Sequence, residues 1–360
     1  MKIIQLTDHP VREIYSKIMA GEDFDRHNTL YGYDALKEAG WEVTDVSEYR
    51  NTFINKVLNS IGFRLGFPHI VLQFKCLKKL RHADLIYCHF LQLTAFLSLL
   101  KRIGILRTPI LSIAHEAFSE KSTSFKTWKG IDRVLCFGEK TLQIASSKHP
   151  LPAQHQNFID WGVDVPFYTD WIQKQTEPSR LDSIVISGVA NRDNDLLIDA
   201  FRDIPDLKLI ICSKLNSSAT DLPQNIRIDT TIDWKNICQL RPYYYHSIAV
   251  GIPLKEDLPW CNGSTVLFEA MTMSKPIIMT ACKANLIDLE KEKIGITVGF
   301  GDKKGWTDAI RYLMEHPDEA KEMGERGFAL VQKKYNYNLF CSKLLNELNQ
   351  LYEHTTKYKL

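Results

Sequence analysis

The residues of this chain best suited to do chemistry lie in one short loop, Asn262-Gly263-Ser264-Thr265, and in the carboxylate that follows it, Glu269. The loop sits between two apolar runs, Ile248 to Ile252 and Pro276 to Thr280, each of a length that fits a buried strand. Asn-Gly breaks the exit of the first strand, Ser264 is placed to cap a helix, and Thr265 to Met273 carry helical spacing. Small residues at a helix start leave backbone N–H groups open at the positive end of the helix dipole, which favours a phosphate. Glu269, one turn further in, would repel a diphosphate, so it is better suited to accepting hydrogen bonds from sugar hydroxyls beside it. Loop and carboxylate together suit a nucleotide-linked sugar.

The same segment, closing at Lys275-Pro276-Ile277-Ile278, resembles the donor-binding signature of retaining glycosyltransferases of the family 4 type, glycosyl transferases group 1. The likeness continues through Gly295-Ile296, Gly301-Asp302, Ala309-Ile310 to Leu313, Pro317, Met323-Gly324 and Tyr335-Asn336-Tyr337. It covers most of the chain, the second half more strongly than the first. The resemblance implies an α/β protein of the GT-B fold, two doubly wound parallel-sheet (Rossmann-like) domains facing a central cleft. It also implies a nucleoside-diphosphate sugar as donor, a glycan or lipid-linked acceptor, and neither a metal nor another cofactor. The leaving diphosphate would be held by cations and helix N-termini.

Residue by residue, the resemblance implies a catalytic set of His115, Arg192 and Glu269. Arg192 lies in Gly188-Val189-Ala190-Asn191-Arg192-Asp193, about where the family carries a Gly-Arg pair and a lysine, and is assigned to the diphosphate, with Lys255 or Lys214 as its substitute. Glu269 matches the second glutamate of the family's paired motif, which holds the donor ribose. The first would fall at Cys261, and Asn262 and Asp257 stand nearest to replace it. His115, in Ile110 to Glu116, resembles the strand-end histidine that reaches donor sugar or phosphate; His89, at the preceding strand's exit, is a second candidate. The donor-binding set is Asn262, Gly263, Ser264, Thr265, Gly188 and Lys255, with Glu256 beside it. Where the family has a Gly-Gly turn after the first strand, this chain has Asp8-His9-Pro10 and a single Gly21.

These residues need a scaffold, and 360 residues with 44% apolar content suit two α/β domains better than one core. Expected strands are Lys2 to Thr7, Gly40 to Val43 opening a second, Asp84 to Phe90, Pro109 to His115, Arg133 to Phe137 and Asn157 to Trp161. Helices are expected over Asn28 to Glu38 and Leu91 to Leu100. Strands alternating with helices argue a parallel sheet with right-handed crossovers. Gly162-Val163-Asp164, Phe167 and the polar stretch to Arg180 read as a linker. The pattern restarts with Ile184 to Gly188, Leu196 to Phe201 as a helix, Leu207 to Cys212, Ile226 to Asp229, Ile248 to Ile252, Pro276 to Thr280 and Ile296 to Phe300. The last helix, Asn336 to Glu353, has Tyr337, Phe340, Leu344, Leu348 and Leu351 on one stripe. Domains are placed at 1–165 and 166–335, and the resemblance implies that helix 336–353 packs back on the first.

Composition excludes several classes. The eight cysteines are scattered without a CxxC pair or metal-like spacing and read as reduced thiols of a cytoplasmic protein. The start, Met1 to Leu6, reads as a strand rather than a signal peptide, and no run has the roughly 18 apolar residues of a spanning helix. Net charge is only +2, yet residues 51–110 hold nine cations against the single anion Asp84. Phe53, Ile54, Phe63, Leu65, Phe67, Ile70 and Phe74 interleave with them, which suits an anionic membrane surface at its inner face or an acidic acceptor. No recognition helix or RNA motif accompanies the basic stretch, which argues against nucleic acid. The alternative to a retaining hexosyltransferase is a catalytically degenerate GT-B protein serving as a binding or scaffold subunit. A nucleotide-sugar 2-epimerase would need grouped carboxylates and histidines that the sequence does not cluster.

Overall fold

The computed structural model describes residues 1–47, 52–115, 129–148, 152–177, 179, 181–213, 221–232 and 237–357. The chain divides into two compact units, Met1–Trp161 with Asn338–Leu360, and Gly162–Tyr337.

Unit 1 is built on six parallel strands: β1 Lys2–Leu6, β2 Glu42–Val46, β3 Leu85–Cys88, β4 Ile110–Ala114, β5 Arg133–Phe137 and β6 Gln156–Ile159. Their order across the sheet is β2-β1-β3-β4-β5-β6. Its helices are α1 Val11–Met19, α2 Arg26–Leu30, α3 Tyr33–Glu38, α4 Phe53–Arg64, α5 Ile70–Lys79, α6 Ala95–Arg102 and α7 Glu139–Lys148. β3 and β4 are buried along their whole length, which is why they read as unbroken apolar runs rather than as alternation. Ile4, Leu6, Ile86, Cys88, Ile110 and Val134 form the core under Leu72, Cys76 and Leu97 of the helices.

Unit 2 repeats the plan with β7 Ser183–Ser187, β8 Lys208–Cys212, β9 Ile226–Asp229, β10 Ser247–Ile252, β11 Ile277–Thr280 and β12 Gly295–Val298, ordered β12-β11-β10-β7-β8-β9. Its helices are α8 Val165–Gln173, α9 Asn194–Phe201, α10 Leu240–His246, α11 Ser264–Thr272, α12 Lys303–Glu315 and α13 Pro317–Lys334. Trp306, Ile310 and Leu313 of α12 close over Ile184, Ile186, Leu209 and Ile278.

Three expected elements differ. The helix expected over Asn28 to Glu38 is two short helices, because Tyr31 (φ 48°) and Gly32 (φ 86°) turn left-handed between them. Asp25 caps the first piece, accepting the His27 and Asn28 N–H groups. Gly32 is required there: a Cβ would stand 2.7 Å from Leu344 Cδ2. The helix expected from Leu91 starts as a 3₁₀ turn, Leu91–Thr94, and becomes α-helical only at Ala95. The stretch read as a linker contains α8, with Pro166 in its first turn. Phe167 is buried there, with the Arg241 guanidinium 4.2 Å over its ring and Arg241 Nη1 donating to its carbonyl at 2.8 Å.

The last helix, α14 Tyr337–Lys357, belongs to unit 1 from Asn338 onward. Its stripe residues Phe340, Leu344, Leu348 and Leu351 are all buried. One polar clamp fixes it: Glu347 accepts from Arg133 Nη1 (2.8 Å) and Asn157 Nδ2 (2.7 Å), neighbours on β5 and β6. The Glu347 side chain is 3% exposed. Removing one partner of a buried ion pair strands the other. Glu347→Ala should therefore cost about 3–5 kcal/mol of unfolding free energy in denaturant titration. A loss under about 1 kcal/mol would mean that the apolar stripe alone holds the helix.

Candidate functional site

In each sheet the chain starts on an inner strand, winds outward to one edge, and returns to wind the other way. Parallel sheets built like this open a crevice at the carboxyl ends of the strands where the order reverses. In unit 2 that point lies between β7 and β10, and in unit 1 between β1 and β3.

The loops leaving β7 and β10 are laced together. The Asp193 N–H donates to Pro253 O, Lys255 N–H to Asn191 O, Asn191 Nδ2 to Glu256 O, and Glu256 N–H to Asn191 Oδ1. Arg192 lies inside this lacing, 8% exposed, with Nε donating to Ser187 O and Nη1 to Ala190 O, both at 2.9 Å. Its Nη2 sits under both glycine turns: it is 2.9 Å from where a Cβ on Gly188 would be and 3.5 Å from one on Gly263. Burial pushes the guanidinium down to about 10, with Tyr244 nearby acting the other way, so it stays charged at neutral pH.

Gly263 (φ 77°) is the N-cap of α11, and a Cβ there would fall 2.5 Å from Ile252 Cγ2. Ser264, expected as the cap, is instead the first helical residue and its Oγ donates back to Cys261 O. The left-handed turn decides this, since it needs a residue without a Cβ and so moves the cap one position earlier. Asn262 is buried and donates to Trp260 O, while Thr265 is half-buried in the first turn. Lys255 and Glu256 are exposed on the β10 loop, and Asp257 is tied to Lys283 through its backbone N–H (3.0 Å) and Nζ (3.3 Å).

Glu269 is 1% exposed. Its Oε2 accepts from Tyr244 Oη at 2.8 Å, and Ser187 Oγ, 2.8 Å from Tyr244 Oη, then donates to Tyr244. A chain of hydrogen bonds thus runs from the end of β7 through α10 to α11, and it holds the carboxylate in one orientation. Tyr244 was missed in the sequence; its signal was the run Tyr243-Tyr244-Tyr245 before β10, where the apolar rim of a strand carries hydroxyls.

In unit 1, His115 follows β4 and stacks on Phe90 with ring centroids 4.2 Å apart. Burial pulls its pKa down to about 3, with His89 adding to the effect, so the ring is neutral. Nε2 donates to His89 O at 2.8 Å, which leaves Nδ1 as an acceptor. The Nε2 hydrogen of His115, expected to reach donor sugar or phosphate, is thus engaged by the His89 carbonyl. His89 itself is buried, stacked on Tyr31 at 4.1 Å, with Nε2 3.3 Å from Asp8 Oδ1. The same Asp8 oxygen is 2.8 Å from His9 Nδ1, and His9 Nε2 donates to Thr29 O at 2.7 Å. With both nitrogens donating, His9 is imidazolium. Burial disfavours that charge, but the bonds to Asp8 and Thr29 outweigh it and raise the pKa. Burial likewise works against the Asp8 charge, and the bonds from His89 and His9 overcome it and lower its pKa. Asp8 and His9 leave β1 and His89 leaves β3, so this cluster marks the unit 1 switch point; the sequence offered His89 as a candidate but gave Asp8 and His9 only as a departure from a glycine turn.

The histidines thus belong to unit 1, and the remaining candidates (Arg192, Glu269, Asn262, Gly263, Ser264, Thr265, Gly188 and Lys255) gather on unit 2. Lys214 and Glu116 lie outside the described residues.

Comparison with known proteins settles the fold. No family model matches the chain, and no curated protein does. Solved structures match over nearly the whole length. Sucrose-phosphate synthase from Thermosynechococcus elongatus aligns with a TM-score of 0.71 at 15% identity, over 98% of this chain and 100% of that one. Anabaena HepE in complex with UDP and glucose gives 0.66 at 14%, over 97% and 99%. WaaG, a glycosyltransferase involved in lipopolysaccharide biosynthesis, gives 0.60 at 9%, over 94% and 97%. The fold is that of the GT-B glycosyltransferases. Within it, the two sheets supply two switch-point crevices, and the buried histidines of the first carry a pH signature. His27, in the aromatic cluster with Trp161 and Phe340, is pushed down to about 3 by burial and by His115. A histidine kept neutral in the folded state binds a proton only on unfolding, so stability falls as pH drops below about 6.5. His9 acts oppositely, contributing fully below that pH, but it is one group against three, since burial lowers His89 as well as His27 and His115. Unfolding free energy should fall between pH 6.5 and 4.5, and His27→Phe should lessen the slope by about 1.4 kcal/mol per pH unit. Parallel slopes for wild type and variant would show that His27 is protonated in the fold.

Proposed function

We propose that the chain is a retaining, metal-independent glycosyltransferase that moves a hexose from a nucleoside-diphosphate sugar to a glycan or lipid-linked acceptor. One observation carries the reading: the Arg192 guanidinium lies under the Gly188 and Gly263 turns, at the start of α11, with Glu269 fixed by Tyr244 on the same helix. The arginine and the first N–H groups of α11 would take the charge that grows on the leaving diphosphate, and Glu269 would accept the ribose hydroxyls. Lys255, exposed on the adjoining loop, would meet the outer phosphate. The His115 Nδ1 is suited to a sugar hydroxyl. Retention would follow front-face attack, with the leaving phosphate oxygen taking the acceptor proton. Complexes of HepE with UDP and with UDP-glucose make a uridine nucleotide the first donor to try. A lipid-linked acceptor would bring the enzyme from the cytoplasm to the inner face of a membrane, with residues 51–110 meeting it.

Cys261 in place of the family's first glutamate favours one competing reading, a protein that binds a nucleotide sugar without turning it over. The two part on a simple measurement. UDP-, GDP-, ADP- and CMP-sugars are screened by thermal shift, and any stabilising donor is then assayed for release of its nucleotide with and without chelator. Turnover that survives chelation supports the transferase; binding without turnover supports the scaffold.

Charge-assisted hydrogen bonds accepted by a buried carboxylate are worth about 1.5–3 kcal/mol. Glu269→Ala should weaken donor binding roughly ten- to a hundredfold, and Tyr244→Phe should weaken it by less, since the carboxylate stays but loses its orientation. Unchanged affinity in Glu269→Ala would remove the ribose role.

Arg192 should act differently, because charge that develops in the transition state shows in rate more than in affinity. Arg192→Ala should lower kcat more than it raises the donor Kd, and Arg192→Lys should recover part of kcat. A pure loss of affinity would assign Arg192 to holding the loop alone.

A further inference from the structure

Helix α4 is built inside out. Asn55 and Asn59 are half-buried and Gly62 is buried, about one turn apart on a single face. Gly62 is the point of contact with α5: a Cβ there would stand 2.6 Å from Ile70 Cγ2 and 2.7 Å from Phe67 O. Asn59 Oδ1 accepts the Val71 N–H at 3.2 Å, in the first turn of α5. The side that meets the protein is therefore small and polar.

The opposite side is apolar and open. Phe53 is 80% exposed, Ile54 69%, Val57 39%, Leu58 41%, Ile61 49% and Leu65, at the C-cap, 68%. At about 100° per residue these six fall within an arc of roughly 140°. Rotating the helix to bury them would drive side chains into α5 where Gly62 now lies. Soluble proteins rarely leave so large an apolar patch uncovered unless something docks on it.

Charge decides what docks. Arg64 lies within the stripe and Lys56 at its edge, both exposed and long enough to lay their stems along it. On α5, which packs against α4, Phe74 is 43% exposed beside the exposed Lys78 and Lys79. The one anion of residues 51–110, Asp84, is turned to the Lys2 backbone N–H at 2.8 Å. An apolar helical stripe rimmed by cations is the arrangement that lies in the interface of an anionic bilayer. No helix among the described residues is long and apolar enough to cross a membrane. We propose that the outward face of α4 inserts into the headgroup layer of an anionic membrane, with the cations of α4 and α5 on its lipid phosphates. Phe67, counted with the inserting aromatics in the sequence, is half-buried against Phe96 and stays behind. The proposal rests on the lipid-linked-acceptor reading for its purpose only.

The test uses the full chain, without nucleotide, sedimented with vesicles of phosphatidylcholine plus phosphatidylglycerol and with phosphatidylcholine alone. Wild type should pellet with the anionic vesicles at low salt and be released at high salt. The variant Ile54→Ser, Leu58→Ser, Ile61→Ser should bind at least about tenfold less while keeping its unfolding transition, since all three side chains point outward. Wild type that stays in the supernatant with anionic vesicles overturns the proposal, and so does a variant that pellets equally. A wild-type dimer that the variant turns into a monomer, without vesicle binding, overturns it too and makes the face a contact between copies. Failure here leaves the transferase reading standing, and absent turnover leaves membrane docking standing.

Discussion

Parallel strands cannot be joined by tight turns, so each one must be reached by a crossover that packs a helix on the sheet. When the chain winds first one way and then the other, the two middle strands send their following loops in opposite directions. Between β7 and β10, and between β1 and β3, this reversal leaves a gap at the carboxyl edge. Most of the candidate residues sit on loops or helices flanking those two gaps; His115 sits on the loop after β4, one strand further on. The core residues beneath, Ile184 and Ile186 in one sheet and Ile4 and Leu6 in the other, hold the strand ends in register so that the gaps keep their shape.

The charges at the gaps are held by bonds that water would otherwise supply. The Arg192 guanidinium is fixed in place by the carbonyls of Ser187 and Ala190, which accept from it, and Glu269 is held through Tyr244. Asp8 and His9 hold each other. A buried charge without such partners would neutralise or unfold its surroundings. The partners also orient: Tyr244 ties the carboxylate of α11 to the end of β7, so a movement of either loop would be felt by the other. Arg133, Asn157 and Glu347 apply the same device to architecture, tying α14 across β5 and β6.

Helix α4 departs from this economy. Elsewhere an apolar stripe is spent on a core, as in α14, but in α4 a glycine and two asparagines take the inward side. The close approach at Gly62 fixes the rotation of the helix, and the rotation fixes which side chains face out.

The sequence by itself determined what depends on neighbours along the chain. Strand positions were legible because short apolar runs bounded by breakers read as strands; β5, buried over most of its length, and β9, only partly buried, fall on the residues read for them. The Asn262–Thr265 loop and Glu269 were legible because glycine turns and helix starts are local. Other features needed the fold. The left-handed turn at Tyr31-Gly32 packs against Leu344, more than three hundred residues away in the sequence, so no window of local pattern could contain that contact. Gly263, left-handed and pressed against Ile252, takes the N-cap position expected for Ser264. The Tyr244–Glu269 bond and the Asp8–His9–His89 cluster join residues from separate crossovers. The helical stripe of α4 was visible as composition, but only packing could say whether it faced the core or the solvent, because periodicity gives a face and not its direction.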